Sequence, residues 1–210
     1  RDAALGRLCE AASLCTTAHI TRAKDVYDVM GDPTEVAVLV AAAKAGVTKE
    51  ALLQQYTVIG ENPFDAARKR MSVTVSGPGG ARLLCKGAPD MLLARCTHIE
   101  TPAGPRLLAP RDRADINAAC ARMAGEALRV LGFAESSTPA AGEEKLCFLG
   151  LMGMLDPPRP EVRPAVQRCR EAGIKPVMIT GDYKETALAI EQADFEAQKL
   201  KYEQGSISKN

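Results

Sequence analysis

Three of the four residues from Pro157 to Pro160 are proline, in the run Asp156-Pro157-Pro158-Arg159-Pro160, and nothing else in this 210-residue chain limits the fold as strongly. A proline ring removes a backbone donor and locks φ, so neither a central strand nor a helix interior can run through such a cluster. The sequence therefore predicts a hinge at Asp156, Pro157, Pro158 and Arg159, with separate structure on either side. The upstream part is long enough to bury a sizeable core of its own.

Within that upstream part the character of the sequence changes near Val58. Residues 3–18 are rich in Ala and Leu and predict a helix. A polar stretch follows. At Gly31-Asp32-Pro33-Thr34-Glu35 the signals for a helix start converge: Asp32 as cap, Pro33 at the first helical position and Glu35 as partner in a capping box. This helix runs to about Ala45 and stops at Gly46, and residues 49–56 predict another short one. From Val58 onward β-branched residues appear in alternation. Met71, Val73 and Val75 share one face of a strand and Arg70, Ser72 and Thr74 the other, which predicts a half-buried strand. The run Gly77-Pro78-Gly79-Gly80 is the turn to a return strand at 81–85, so residues 69–86 form an antiparallel hairpin with a four-residue loop.

Further along, Lys86-Gly87-Ala88-Pro89-Asp90 turns strand into a short helix that ends by Cys96. Residues 101–110 form a loop, residues 111–128 carry helical spacing, and residues 129–134 return to strand. Ser136 to Glu144 is expected on the surface. Leu146 to Leu155 is uniformly apolar, as in a strand buried on both faces. Beyond the prolines, helix at 161–172, a stop at Gly173, a strand at 175–180 and helix at 182–191 make the start of a parallel α/β unit.

Composition excludes several classes. Hydrophobic residues are 46% and charged residues 25%, which argues against disorder and against a collagen-like scaffold. The formal net charge is +1, so no global field draws the chain to nucleic acid, and any anion site has to be local. Seven cysteines without a C-x-x-C pair predict reduced thiols, and two separated histidines, His19 and His98, give no basis for a metal site. The longest apolar stretch falls far short of the roughly 20 residues of a membrane-spanning helix, so no direct membrane insertion is expected and the chain should be soluble. The opening RDAALGRL lacks an initiator Met, setting the expectation of a piece of a longer protein.

Common nucleotide and nucleophile signatures are missing: there is no G-x-x-x-x-G-K-[ST], no G-x-G-x-x-G at a strand-to-helix turn and no G-x-S-x-G. The remaining candidates each carry a plain structural alternative. Thr180-Gly181-Asp182 follows an apolar strand and could receive phosphate on its amides, or Asp182 could simply cap its own helix. Glu35 is explained by the capping box without any ligand. Arg68-Lys69-Arg70 reads as a solvated face, yet by alternation Lys69 points the same way as Met71, and a Lys on an apolar face invites an anion. Phe64, after Asn62-Pro63 in a turn-like approach to the hairpin, fits a core residue or a stacking platform. Lys86 and Arg129 stand at strand boundaries, where long cations are commonly solvated.

In order, however, GDPTE (31–35), NPFDAARKRMSV (62–73), KGAPD (86–90), ALRVLGFA (127–134), LGLMGMLDPPRPEV (149–162) and MITGD (178–182) resemble the cytoplasmic headpiece of P-type cation-transporting ATPases, nearest the calcium-pump-like branch. The resemblance covers most of residues 8–193. It implies an α/β (α+β) fold: a nucleotide-binding domain over 1–155, with a twisted antiparallel sheet flanked by helices. It also implies an incomplete haloacid-dehalogenase-like phosphorylation domain over 156–193, followed by a tail, 194–210, with no assigned structure.

Carried over residue by residue, the resemblance implies ATP as ligand, with Glu35 at the adenine and Phe64 stacked on it. Lys69, Met71, Lys86 and Gly87 would line the pocket, and Arg129 would reach phosphate. Thr180, Gly181 and Asp182 would belong to the phosphorylation site, where the intact pump uses Mg2+. Two departures stand out. The family's Asp-Lys-Thr-Gly-Thr motif is absent, so no residue here is the phosphorylated nucleophile, and Ala66 stands where family members often carry Arg.

The expectation is thus an ATP-binding fragment of a calcium or related cation pump, on the cytoplasmic side of the membrane. Its partners would be the pump's remaining phosphorylation, actuator and transmembrane domains. Two rivals remain: a soluble haloacid-dehalogenase-type phosphatase, and a non-catalytic module docking through the hairpin and the Arg68–Arg70 run.

Overall fold

The computed structural model describes residues 3–23, 26–155, 161–175 and 177. Its order is α1 (Ala3–Leu14), β1 (His19–Ala23), β2 (Val26–Met30), α2 (Pro33–Lys44), α3 (Lys49–Leu53), β3 (Thr57–Asp65), β4 (Arg70–Gly77), β5 (Gly80–Gly87), α4 (Pro89–Leu93), β6 (Cys96–Ile99), β7 (Arg106–Leu107), α5 (Pro110–Gly125), β8 (Arg129–Ser136), β9 (Leu146–Met154) and α6 (Val162–Glu171). The chain divides into two compact units, one from the described residues of Arg1–Cys120 and Val130–Met154, the other from those of Ala121–Arg129 and Leu155–Asn210.

The first unit is built on a seven-stranded sheet in the order β3-β4-β5-β8-β9-β6-β7, with β1 and β2 paired as a separate hairpin. The β3-β4, β4-β5, β5-β8 and β6-β7 pairings are antiparallel, and β6 runs parallel to β9. Side-chain alternation sends the residues of the central strands β4, β5, β8 and β9 to two cores. On one face Met71, Val73, Val75, Leu84, Phe133 and Leu149 pack with Ala11, Leu14, Val38 and Leu52 from the first three helices and with Cys15 just after α1. On the other face Leu83, Cys85, Ala134, Leu146 and Phe148 pack with Leu92, Leu93 and Ile116. Burying apolar surface on both faces makes the sheet the middle of three layers.

The Asp32 cap, the first-turn proline and the glycine stop of α2 are as expected. Asp32 accepts from the Thr34 amide at 2.8 Å and Pro33 opens α2. Gly46, at φ 77°, closes α2 with bonds from its own amide to Ala43 and from the Val47 amide to Ala42, the paired pattern of a Schellman cap.

Several expectations need correction. The polar stretch after α1 is the β1-β2 hairpin, and α1 itself stops at Leu14. Gly77 pairs with Gly80, so the hairpin loop is the two residues Pro78 and Gly79 rather than four. The second face of β4 is not solvated: Arg70 and Ser72 are buried beside the Glu143 carboxylate, which supplies the anion that lets a guanidinium enter the interior. The apolar strand β9 buries Leu146, Phe148 and Leu149, while the residues beyond are only half-buried or exposed. The loop expected at 101–110 contains β7, and β6 precedes it.

In the second unit α5 ends at Gly125, short of Leu128, because Ala127 turns to φ 59° and the Leu128 amide closes back on Met123 at 3.0 Å. α6 ends at Glu171 and is closed by Gly173, φ 74°, with the Ile174 amide on Cys169 at 2.8 Å. The hinge residues Asp156, Pro157, Pro158 and Arg159 lie outside the described residues, as do Thr180, Gly181, Asp182 and the helix expected at 182–191.

Candidate functional site

Where the first turn of α2 meets the end of β5, Glu35 Oε1 accepts from Lys86 Nζ at 2.5 Å. The other oxygen, Oε2, accepts from the Thr17 hydroxyl at 2.7 Å and from the Thr17 and Ala18 amides at 3.0 Å. Both oxygens are therefore turned away from the helix start, and the capping box expected of Asp32 and Glu35 is replaced by these bonds. A carboxylate taking several donors, one of them cationic, is held in its charged form. Burial alone would raise the Glu35 carboxyl, but the bonds from Lys86 and Thr17 and the charge of Lys86 outweigh it and bring its pKa to about 2.

The same segment is gripped from its carbonyl side. Lys49 Nζ donates to Thr16 O at 2.8 Å and to Ala18 O at 2.9 Å, and is itself buried. Burial, and next to it the neighbouring Lys86, pull its pKa below the usual lysine range, against the opposing charge of Glu35. Beneath lies Cys15, wholly buried, with its thiol directed at Leu84 O, 3.6 Å, and Met71 O, 3.9 Å. Burial pushes that thiol up to about 12, so it serves packing rather than nucleophilic chemistry.

Strand register sets Met71 beside this pair. Met71 stands opposite Lys86, and Lys86 opposite Phe133, so the three share a row on the face that carries the first core. Met71 is buried at the floor. Gly87, next along β5, lies so close to β4 that an added Cβ would meet Lys69 O at 2.4 Å and Arg70 Cβ at 2.5 Å. Its part is therefore to let two strands touch.

Phe64 is on the edge strand β3, in the irregularity where the register passes from Asn62–Ser72 to Asp65–Arg70. It is 63% exposed, which corrects both the turn-like placement and the core alternative. Lys69 is exposed at φ 51° just before β4, off the strand whose alternation predicted its direction. Of the basic run, Arg68 is half-buried and Arg70 buried, both on Glu143, so the expected solvated face reduces to Lys69. Ala66 is exposed. Arg129 opens β8 and is exposed, within the second unit.

Thr17, Ala18, Lys49 and Glu143 are the participants the sequence did not reveal. None of them carried a signal in the sequence, since the burial of the Lys49 cation appears only in the structure.

A family model described as P-type ATPase, cytoplasmic domain N, matches residues 4–161. This chain belongs to the P-type ATPases. The calcium-transporting ATPase of Bacillus subtilis (strain 168) is 44% identical over 186 residues, covering 85% of this chain and 21% of the relative. Calcium-transporting ATPase 1 of Bacillus cereus (strain ATCC 10987) is 44% identical over 166 residues, 76% and 19%. The cation-transporting ATPase pma1 of Synechocystis is 38% identical over 185 residues, 84% and 20%. The chain thus spans about a fifth of the length of these relatives. The observed helices and mostly antiparallel sheet are the fold expected of a P-type ATPase N domain. Among the described residues no helix is long and apolar enough to cross a membrane.

Proposed function

We propose that this P-type ATPase N domain binds ATP through Glu35, Lys86 and Met71 together with the exposed Phe64 and Lys69. The observation that carries the reading is an aromatic ring left 63% exposed on an edge strand, a few residues from an exposed cation. The groups suit the ligand's chemistry. A flat base stacks on Phe64, which is worth about 1 to 3 kcal/mol. Glu35 Oε1 has Lys86 as its protein partner and keeps a lone pair for an amino donor on adenine, while Lys69 offers charge to phosphate. With ordering costs set against these, affinity is expected at roughly 0.1 to 1 mM.

In an intact pump the domain would present the γ-phosphate to an Asp outside this chain, with Arg129 as a phosphate contact and Thr180, Gly181 and Asp182 on the accepting side. On this reading residues 1–155 are the nucleotide-binding domain and 156–193 the start of the phosphorylation domain. Among the described residues no three or more His, Cys, Asp or Glu gather as a metal site, and Mg2+ is assigned to the intact pump. The pump's remaining phosphorylation, actuator and transmembrane domains would be its partners, with calcium or a related cation transported. Ala66 weakens the grip on the triphosphate relative to an Arg.

The test is a calorimetric titration of the chain with ATP and GTP, alone and with Phe64→Ala. Saturable binding, stronger for ATP and lost in the variant, is expected. No binding of either nucleotide at several millimolar, or formation of an acid-stable phosphoenzyme from ATP, would overturn it.

A further inference from the structure

The two exposed groups of the site, Phe64 and Lys69, lie on a stretch with little packing of its own: every residue of β3 is exposed. Yet the stretch from Asn62 to Ser72 is held at several points, and the bonds converge on one carboxylate. Glu143 Oε1 accepts from Arg68 Nη1 at 2.7 Å, Ser72 Oγ at 2.8 Å and Asn62 Nδ2 at 3.2 Å. Glu143 Oε2 accepts from Arg70 Nε at 2.5 Å and from Arg68 Nη1 at 2.8 Å.

Arg68 passes the restraint on. Its Nη2 donates to Pro63 O at 2.7 Å, the carbonyl immediately before Phe64, and its amide donates to Asp65 Oδ1 at 2.8 Å, immediately after. Arg70 Nη1 donates to Arg68 O at 3.1 Å, and the Lys69 amide to Asp65 O at 2.7 Å. The bulge that presents Phe64 and the left-handed turn at Lys69 are therefore tied to a residue more than 70 positions later.

Charge makes the tie specific. Arg68, Lys69 and Arg70 are three consecutive cations, and two of them lie partly or wholly inside the protein. Removing the carboxylate would leave those two guanidiniums without their anion, and repulsion would drive the segment apart. Glu143 reaches them because a one-turn 3-10 helix, Pro139–Ala141, and Gly142 at φ 65° bend the β8-β9 loop back over the sheet. Together the loop and strands leave an open groove of about 490 Å³ beside the cluster.

We propose that Glu143 is a positioning residue for nucleotide binding: through Arg68 and Asn62 it sets the bulge that presents the Phe64 ring and the turn that presents Lys69. The proposal rests on the ATP reading above. It assigns a binding function to a loop carboxylate that touches no part of the ligand site directly. Burial would raise the carboxyl, and the bonds from Arg68, Ser72 and Arg70 hold it below the usual range, so the anion persists at neutral pH.

The test uses the whole chain labelled with fluorophenylalanine, which carries four Phe, with ATP as the probe. In Glu143→Gln, which keeps size but loses charge, the Phe64 resonance is expected to shift before ATP is added, while buried Phe133 and Phe148 keep their positions. The ATP dissociation constant rises about fivefold or more. Arg68→Gln, which cuts the same tie from the other side, gives the same shift, and the double variant adds little to either single one.

An ATP affinity within about twofold of the parent chain and an unmoved Phe64 resonance in both variants would overturn the proposal while leaving the ATP reading intact. Movement of Phe133 and Phe148 together with Phe64 in both variants would also overturn it, since the role would then be general stability. A parent chain whose Phe64 resonance ATP never moves would sink the ATP reading itself, and this proposal with it.

Discussion

Glu35 and Lys86 join helix α2 to strand β5 through a 2.5 Å contact between residues 51 apart in sequence, with side chains only 13% and 7% exposed. An ion pair at this depth gains its Coulomb energy in a poorly solvating setting but loses hydration. Its worth therefore depends on how fully each charge is hydrogen-bonded. Glu35 has further donors from Thr17 and Ala18, so the carboxylate is the better satisfied of the two. The pair fixes where the first helical layer sits on the sheet.

Lys86→Met keeps the aliphatic stem and removes the charge. The variant is expected to lose about 1 to 3 kcal/mol of stability, because Glu35 retains its neutral donors but not its cation. ATP affinity should fall about tenfold. Urea unfolding followed by calorimetric titration checks both, and unchanged affinity would remove Lys86 from the proposed site.

Acid should act on the same pair. Glu35 has its pKa lowered from 4.5 to about 2 in the folded chain, so the folded state binds its proton less readily than the unfolded one. Its contribution to stability is full above the unfolded value and drains away as pH falls from about 4.5 towards about 2. The slope of unfolding free energy against pH in that window should be shallower in Glu35→Gln, as read by denaturant titration. Equal slopes would mean the pair contributes nothing to acid sensitivity.

Phe64→Ala should separate binding from folding. Because the ring is 63% exposed, its loss should change stability by no more than about 0.5 kcal/mol. Nucleotide affinity should fall by about 1 to 3 kcal/mol, a loss of roughly five- to 150-fold. A drop in melting temperature comparable to a core substitution would show that the ring packs rather than stacks.

Gly87→Ala should do the reverse. The added methyl would overlap Lys69 O and Arg70 Cβ, both well inside contact distance, so the β4-β5 seam has to open. An overpacking cost of about 1 to 3 kcal/mol is expected. ATP binding should weaken along with it, since Lys69 and Lys86 flank the seam. Thermal unfolding with an ATP titration below the transition is the check, and full stability in the variant would refute the close approach.

Much of the fold was legible because it is locally encoded. The alternation of Met71, Val73 and Val75, the cap at Asp32-Pro33 and the stops at Gly46 and Gly173 all act within a few residues of themselves. β1, β2, β6 and β7 were not legible: each has five residues or fewer, too short for a periodic pattern to stand out. Phe64 was misplaced for a related reason, since burial preferences describe an average Phe and not one on an exposed edge strand. The candidate site residues came from a resemblance, and the wiring between them was not legible in the sequence.

Sequence alone determined most of the helices and the strands β4, β5, β8 and β9 in their order, because capping, turn chemistry and side-chain period depend on near neighbours. The ordered motifs then carried the family. Only the tertiary structure decided which charges meet. Glu35 might have closed its own helix cap, but the sheet brought Lys86 to it. The Arg68–Arg70 run might have faced water, but the β8-β9 loop brought Glu143 over it. A buried charge takes whichever partner the topology places within about 3 Å, and spacing along the chain says nothing about a partner 50 or 70 residues away.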